Sequence, residues 1–211
     1  MKAAIFDADG TILDSLRVWD NIADIYLNSI NIYPKEDLNL IFKNYSFNTS
    51  AQYLIDNYNL NISVEELINE FNKLVSYKYN NTILAKPNIV NVLNKLASEN
   101  IVCCILTASD SELIYNSLNR LGLAKYFKFI YSCIGSNYDK NSIDIYNIIL
   151  DKLNVKEEEC YIFEDALYAL NTIKDTKFKV YAIYDEYNKD DWTNINNLDI
   201  NTLNEWSEFY E

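Results

Sequence analysis

Two hydrophobic rhythms alternate along the chain. Short unbroken apolar runs, each closed by polar residues, read as buried strands of a parallel sheet. They fall at Lys2 to Phe6, Ile101 to Leu106, Phe129 to Cys133, Tyr161 to Phe163 and Lys179 to Tyr184. Between them apolar residues recur at three- and four-residue steps, the spacing of one helix face. Ile89, Val90, Leu93, Leu96 and Ala97 form one such stripe, with Pro87 suited to a helix first turn. A second helix follows Ser109 and Glu112, which are spaced as a capping box, and closes at Gly122. A third, capped by Asn141 or Ser142, carries Ile145, Ile148, Ile149 and Leu153, and a fourth runs through Leu167, Leu170 and Ile173. Strand–helix alternation of this kind predicts an α/β protein with a Rossmann-like, doubly wound parallel sheet.

The first strand is separated from the others by a stretch without strand character. Trp19, Ile22, Ala23, Tyr26 and Leu27 predict a helix to about Ile30, broken by the sequence from Asn31 to Pro34. Helical stretches follow near Lys35 to Lys43 and Thr49 to Tyr58. Ser63 and Glu66 then make a capping box ahead of a face of Val64, Leu67, Ile68, Phe71, Leu74 and Val75. The expected organisation is a core of residues 1–15 and 85–211, interrupted by an all-helical cap over 16–84. A helical insertion of that size is suited to a lid.

Composition narrows the field. With 211 residues, 49% of them hydrophobic and 23% charged, the chain can bury a sizeable core. A net charge of −13 argues against nucleic acid or an anionic membrane as partner, since both need a basic footprint. No apolar run approaches the ~18 residues of a membrane span. Asp7 interrupts what would have to be a signal peptide's apolar stretch, so a cytoplasmic protein is expected. The four cysteines, Cys103, Cys104, Cys133 and Cys160, lie in stretches read as buried strand and form no C-x-x-C pair. They are expected to be free thiols rather than zinc ligands or a redox pair. Histidine is absent, which removes His-dependent triads and His general bases and leaves acid–base work to carboxylates, lysine, tyrosine or water.

Candidate chemistry sits where the predicted strands end. The first run closes in Asp7-Ala8-Asp9-Gly10-Thr11, with two carboxylates leaning the same way and a glycine that lets the backbone turn. Clustered carboxylates repel unless a cation or a shared proton compensates, and a hard divalent ion such as Mg²⁺ is the natural partner. Thr107 follows the next strand, Lys140 lies in a later loop, and Glu164 and Asp165 close another strand. Ligands of open α/β sheets bind beyond the carboxyl ends of the strands, so these residues can share one site. Each type has a job in phosphoryl transfer. One carboxylate attacks phosphorus, a second protonates the leaving oxygen, and a hydroxyl, backbone N–H groups and a lysine hold the phosphoryl oxygens. Further acids hold the metal.

On these residues the chain resembles the haloacid dehalogenase superfamily of phosphatases and phosphomutases. The carrying motifs are Asp7-Ala8-Asp9-Gly10-Thr11, Leu106-Thr107-Ala108-Ser109, Lys140 within Asp139 to Asp144, and Phe163-Glu164-Asp165-Ala166. They occur in the family's order, and the resemblance spans essentially the whole chain. It implies that Asp7 is the nucleophile and Asp9 the general acid/base, and that Thr107, Ala108 and Lys140 bind the phosphoryl group. It also implies Mg²⁺ on Asp7, the carbonyl of Asp9 and Asp165, with Glu164 in direct contact or one step behind. The stretches Asp14 to Trp19, Ala166 to Leu170 and Tyr184 to Glu186 resemble the subgroup near β-phosphoglucomutase and sugar-phosphate phosphatases, which has a helical cap so placed.

Some positions depart from that pattern. Asn141 stands where proline often follows the motif lysine, Ala169 where glycine is frequent, and Thr176-Lys177 where Ala-Gly is common. These positions bear on loop geometry rather than chemistry. Trp19 falls about where the mutases carry a cap histidine, which weakens a mutase reading. The expected activity is hydrolysis of a small phosphorylated metabolite, with a sugar phosphate as leading candidate, by a monomer or weak dimer. A phosphomutase and a phospho-accepting domain without turnover are the alternatives. Arg17 is a candidate contact for a substrate's distal polar group, or simply a surface arginine.

Overall fold

The computed structural model describes residues 1–42 and 45–210 of the 211. Its described residues form two compact units, one of Met1–Ser15 with Ile83–Glu211 and one of Leu16–Thr82. The first unit holds six strands: β1 (Ala3–Phe6), β2 (Val102–Thr107), β3 (Phe127–Ser132), β4 (Cys160–Glu164), β5 (Lys179–Ile183) and β6 (Asn201–Leu203). They lie in the order β3-β2-β1-β4-β5-β6, every neighbouring pair parallel. This is the doubly wound α/β sheet that the apolar runs predict.

Strand β1 is central and fully buried, as its Ala-Ala-Ile-Phe run requires. The chain winds to one side of it through β2 and to the other through β4, so the topological switch point lies between β1 and β4. Register fixes which residues emerge there. Phe6 pairs with Ile105 and with Phe163, and β2 runs on to Thr107 while β4 ends at Glu164. The amide of Asp7 still donates to the Phe163 carbonyl at 2.9 Å, so Asp7 is held at the crevice by the sheet itself.

The helices of the described residues run, in chain order, as α1 (Leu16–Asp20), α2 (Ile22–Ser29), α3 (Leu38–Phe42), α4 (Phe47–Tyr58), α5 (Val64–Asn81), α6 (Ile89–Ser98), α7 (Ser111–Arg120), α8 (Ile143–Leu153), α9 (Leu167–Ile173) and α10 (Lys189–Ile195). The first five make up the second unit. There the Ser63–Glu66 capping box forms, the Glu66 amide reaching Ser63 Oγ at 3.2 Å and the Ser63 amide reaching Glu66 at 2.8 Å. Leu27, Ala51, Leu54, Leu67, Phe71 and Val75 are buried, and Tyr26 and Phe47 meet Phe71 edge-on. The helix expected to run to Ile30 is broken in two at Asn21, and Lys43, the expected end of the third helix, lies outside the described residues. Trp19 is half-buried and donates to the Tyr79 hydroxyl at 2.8 Å.

Asparagine supplies the left-handed backbone positions that glycine usually takes. The chain has only three glycines, and Asn31, Asn59, Asn88, Asn100 and Asn154 all have positive φ. Asn59 and Asn154 end α4 and α8, where a short polar side chain tolerates this conformation best after glycine.

Three local expectations are corrected. Ser109 does not cap α7. Asp110 does, accepting from the amides of Glu112 and Leu113, because the Ser109 hydroxyl is committed elsewhere. Pro87 precedes α6 rather than opening it, since Asn88 is left-handed and the helix begins at Ile89. Cys133 lies just beyond β3 and is half-buried, while Cys103, Cys104 and Cys160 are buried strand residues; all four are free thiols. No helix of the described residues is long and apolar enough to cross a membrane.

The acidic, aromatic tail folds into the core, contrary to its polar appearance. It supplies α10, β6 and a 3₁₀ turn, Trp206–Tyr210. Trp206 is 1% exposed, packs against Phe6 and Phe163, and donates its indole N–H to the Thr11 carbonyl at 3.0 Å. It therefore braces the turn that follows Asp7 and Asp9. Trp206→Ala is expected to cost about 3–5 kcal/mol through the cavity it leaves. Trp206→Phe, which keeps most of the packing but strands the Thr11 carbonyl, should cost about 1–3 kcal/mol. Urea unfolding monitored by circular dichroism checks both. Equal stability of Trp206→Ala and wild type would show that the tail is not part of the core.

Candidate active site

At the switch point three acids and one lysine are buried together. Asp7 is 7% exposed, and Lys140, Glu164 and Asp165 are 2% exposed each. The Lys140 ammonium donates to Asp7 Oδ1, and to Glu164 Oε2 at 2.9 Å. Glu164 Oε1 accepts the amides of Asp165 and Ala166 at 3.2 and 3.1 Å, which locks that carboxylate across the start of α9. Asp165 accepts from the Thr11 hydroxyl at 2.9 Å on Oδ1 and from the Asn188 amide at 2.5 Å on Oδ2. One carboxylate oxygen is left over. Asp7 Oδ2 is buried and has no hydrogen-bond partner.

Charge makes this arrangement unusual. Three carboxyl groups stand against one ammonium in a place that water cannot solvate, so ionising all three would leave two negative charges in excess. Burial pushes the Asp7 carboxyl up to about 7, opposed by Lys140 and reinforced by Glu164 and Asp9. Burial, then the charges of Asp7 and Glu164, push Asp165 well above the usual carboxylate range. Burial works against the charge on Lys140, but Asp7 and Glu164 together outweigh it and hold the ammonium protonated. Ligand oxygens of Asp7, Glu164 and Asp165 all lie within 4.8 Å of one another, close enough to share a cation. An all-oxygen donor set with an orphaned buried oxygen fits a hard divalent ion.

The second motif acid is arranged differently. Asp9 accepts from the Ser15 hydroxyl on Oδ1 and the Ser109 hydroxyl on Oδ2, both at 2.6 Å. Its side chain thus stands apart from the three-acid group and joins the loop after β1 to the loop after β2. Thr107 is fully buried, and its Oγ accepts the Ser109 amide at 3.0 Å, leaving the hydroxyl proton free to donate. Ser132 Oγ donates to the Ser109 carbonyl at 2.7 Å, fixing the same loop from β3. The structure therefore brings Asp7, Lys140, Glu164 and Asp165 into direct contact or close range, with Asp9 in the loop after β1 and Thr107 at the end of β2. Ala108 lies between Thr107 and Ser109 in that loop.

Several residues around the site escaped sequence reading. Thr11 stands inside the first motif, and a hydroxyl just behind a Gly turn was a usable signal. Gly10 does adopt φ 86°, as that turn requires. Ser15 lies beside motif residues without a distinguishing pattern, and Ser109, though within a motif and spaced as a helix cap, gave no sign of its bond to Asp9. Asn188 belongs to the polar tail, and nothing local marks it.

A doubly wound parallel sheet with clustered carboxylates and a lysine at its switch point is an α/β architecture with a site whose acids could hold a hard cation. Comparison with known proteins gives the family. Residues 4–183 match the haloacid dehalogenase-like hydrolases, and the chain belongs to that family and is an enzyme of it. A phosphorylated carbohydrates phosphatase from Thermotoga maritima is 22% identical over 192 residues, covering 89% of this chain and 88% of that protein. Among solved structures, a putative β-phosphoglucomutase from Thermotoga maritima superposes with a TM-score of 0.79 at 21% identity, covering 88% of this chain and 87% of that one. CbbY from Rhodobacter sphaeroides, solved with xylulose-(1,5)bisphosphate, superposes with a TM-score of 0.73 at 15% identity over 99% and 96% of the two chains.

The burial of Asp7 predicts a pH signature in metal-free protein. Its carboxyl titrates near 3.8 when unfolded and about 7 when folded, so the native state holds the extra proton between those values. The contribution of this carboxyl to stability must then fall as pH rises from about 4 to about 7, and level off above. Asp7→Asn removes this contribution. In EDTA, the stability of Asp7→Asn relative to wild type should rise across that window, read from urea unfolding at each pH. A pH-independent difference would contradict the assignment.

Proposed function

We propose that the chain is a Mg²⁺-dependent phosphatase of small phosphorylated metabolites, working through an aspartyl-phosphate on Asp7. The observation that carries this reading is the buried Asp7 carboxylate, one oxygen held by Lys140 and the other unpartnered at the switch point. Such an oxygen is a poised nucleophile. Lys140, itself held by Glu164, and the bond from the Asp7 amide to the Phe163 carbonyl fix its direction, which is the main thing a protein contributes to phosphoryl transfer.

In the first step Asp7 Oδ2 bonds to phosphorus while the bond from phosphorus to the substrate oxygen breaks. Asp9 supplies the proton to that leaving oxygen. In the second step Asp9 takes a proton from water, whose oxygen attacks phosphorus and releases phosphate, regenerating the Asp7 carboxylate. Thr107, the backbone around Ala108 and Lys140 bind the phosphoryl oxygens. Asp7, Asp165 and the carbonyl of Asp9 would hold a Mg²⁺, which would supply the positive charge that lets one anion approach another. Glu164 acts from one step behind, since its Oε1 is filled by two backbone amides and its Oε2 faces the Lys140 ammonium, whose charge repels a cation.

The helical unit Leu16–Thr82 is proposed to serve as the cap that selects the substrate. Phosphorylated carbohydrates head the list of candidates, because the Thermotoga maritima relative carries that name and the Rhodobacter sphaeroides structure holds such a ligand. Phosphate release from a panel of phosphorylated sugars and other metabolites, with Mg²⁺ and with EDTA, tests the reading. Release is expected only with Mg²⁺, and Asp7→Asn should lower it by at least about 10³-fold while the variant stays folded. Full activity in EDTA, or in Asp7→Asn, would overturn it. An isomerised sugar phosphate without free phosphate would point to a mutase instead.

A further inference from the structure

Asp165 is proposed above as a metal ligand, and its orientation depends on two donors from distant parts of the chain. Thr11 Oγ1 supplies one, from the motif that carries Asp7. The other is the Asn188 side-chain amide, at 2.5 Å from Asp165 Oδ2. Each oxygen of Asp165 thus accepts one protein donor and keeps a lone pair for a cation. We propose that Asn188 is a positioning residue of the metal site, aiming Asp165 at the cation while a part-buried Lys86–Asp185 ion pair fixes the turn that presents it. This rests on the phosphatase reading only in that Asp165 must hold the metal.

The support for the turn is specific. Asn188 ends a single 3₁₀ turn, Glu186–Asn188, too short to hold its own shape. Asp185 caps that turn, its side chain accepting the Tyr187 amide at 2.9 Å and its carbonyl accepting the Asn188 amide at 3.0 Å. Asp185 is only 4% exposed, and its charge is met by Lys86 at 2.5 Å. Lys86 donates as well to the Tyr184 carbonyl at 3.0 Å, and its own backbone amide donates to the Ile12 carbonyl at 2.8 Å. Lys86 is therefore tied to both segments that place donors on Asp165: the turn after Asp9, which carries Thr11, and the loop after β5, which carries Asn188. Without the Asn188 amide, Asp165 Oδ2 loses its protein donor and one of the two constraints on its plane. Donors behind a metal ligand typically change affinity by about 10–100-fold when removed.

Mn²⁺ serves as the probe, because its free-ion paramagnetic resonance signal reports binding without turnover. Full-length wild type, Asn188→Ala, Asn188→Gln and Tyr187→Ala are titrated at pH 7.5, and urea unfolding in EDTA is measured in parallel. Asn188→Ala is expected to bind Mn²⁺ about 10–100-fold more weakly, with metal-free stability close to wild type. Asn188→Gln, which keeps an amide donor on a longer stem, should recover part of the loss. Tyr187→Ala alters the same turn without touching Asp165 and should bind Mn²⁺ as wild type does. Equal Mn²⁺ affinity in Asn188→Ala and wild type would overturn the role of Asn188 and leave the phosphatase reading intact. So would an equal loss in Tyr187→Ala, which would mark general loosening of the turn. If wild type binds no Mn²⁺, the metal site fails and this inference with it. Should Asn188→Ala not fold, Asn188→Leu, which keeps the volume without a donor, carries the test, and Mn²⁺ affinity equal to wild type would overturn the proposal.

Discussion

The site is governed by an electrostatic debt: three carboxylates and one ammonium are buried side by side at the centre of a parallel sheet. A pair of opposite charges in the interior roughly breaks even against its desolvation, but an excess of like charge does not. Such a cluster persists only because the surrounding fold is strong enough to impose it. The central strand β1, with parallel neighbours on both sides, supplies that strength, and the register of β1, β2 and β4 sets where the acids emerge. The same excess charge gives the site its use, since it leaves one carboxylate oxygen without a partner and a place where a divalent cation is favoured.

Most of the remaining contacts distribute rigidity to that point. Glu164 is fixed by Lys140 and by two amides at the start of α9, and Asp9 is fixed by two serine hydroxyls from different loops. Trp206 closes the back of the turn after Asp9 from the far end of the chain. Glu164, the two serines and Trp206 need take no part in bond making. They determine how well the reacting groups stay aimed, and misplacement of about 1 Å can cost two orders of magnitude in rate.

Legibility in the sequence followed the range of the interactions. The strands of the central sheet were readable because burial on both faces demands unbroken apolar runs, and the helices because one face must be apolar. Asp7, Asp9, Thr107, Glu164 and Asp165 stood out because unlike chemistry follows an apolar run abruptly, and Lys140 because its loop resembles a family motif. Helix caps were less readable: Ser109 had the right spacing to cap α7, but Asp9 competes for its hydroxyl across 100 residues of sequence. The edge strand β6 is only three residues long and hid in a polar tail. Trp206 and Asn188 were invisible as functional neighbours because their partners, Thr11 and Asp165, are contacts that only the folded chain creates.

The central claim is that Asp7 forms a covalent bond to phosphorus. The most direct test is to quench the enzyme during turnover of its best phosphorylated substrate and reduce it with borohydride, which converts an acyl phosphate to homoserine. Peptide mass spectrometry then locates the product. The expected result is homoserine at position 7, present with substrate and Mg²⁺ and absent when either is withheld. Substrate-dependent reduction at another carboxylate, with position 7 unchanged, would contradict the account.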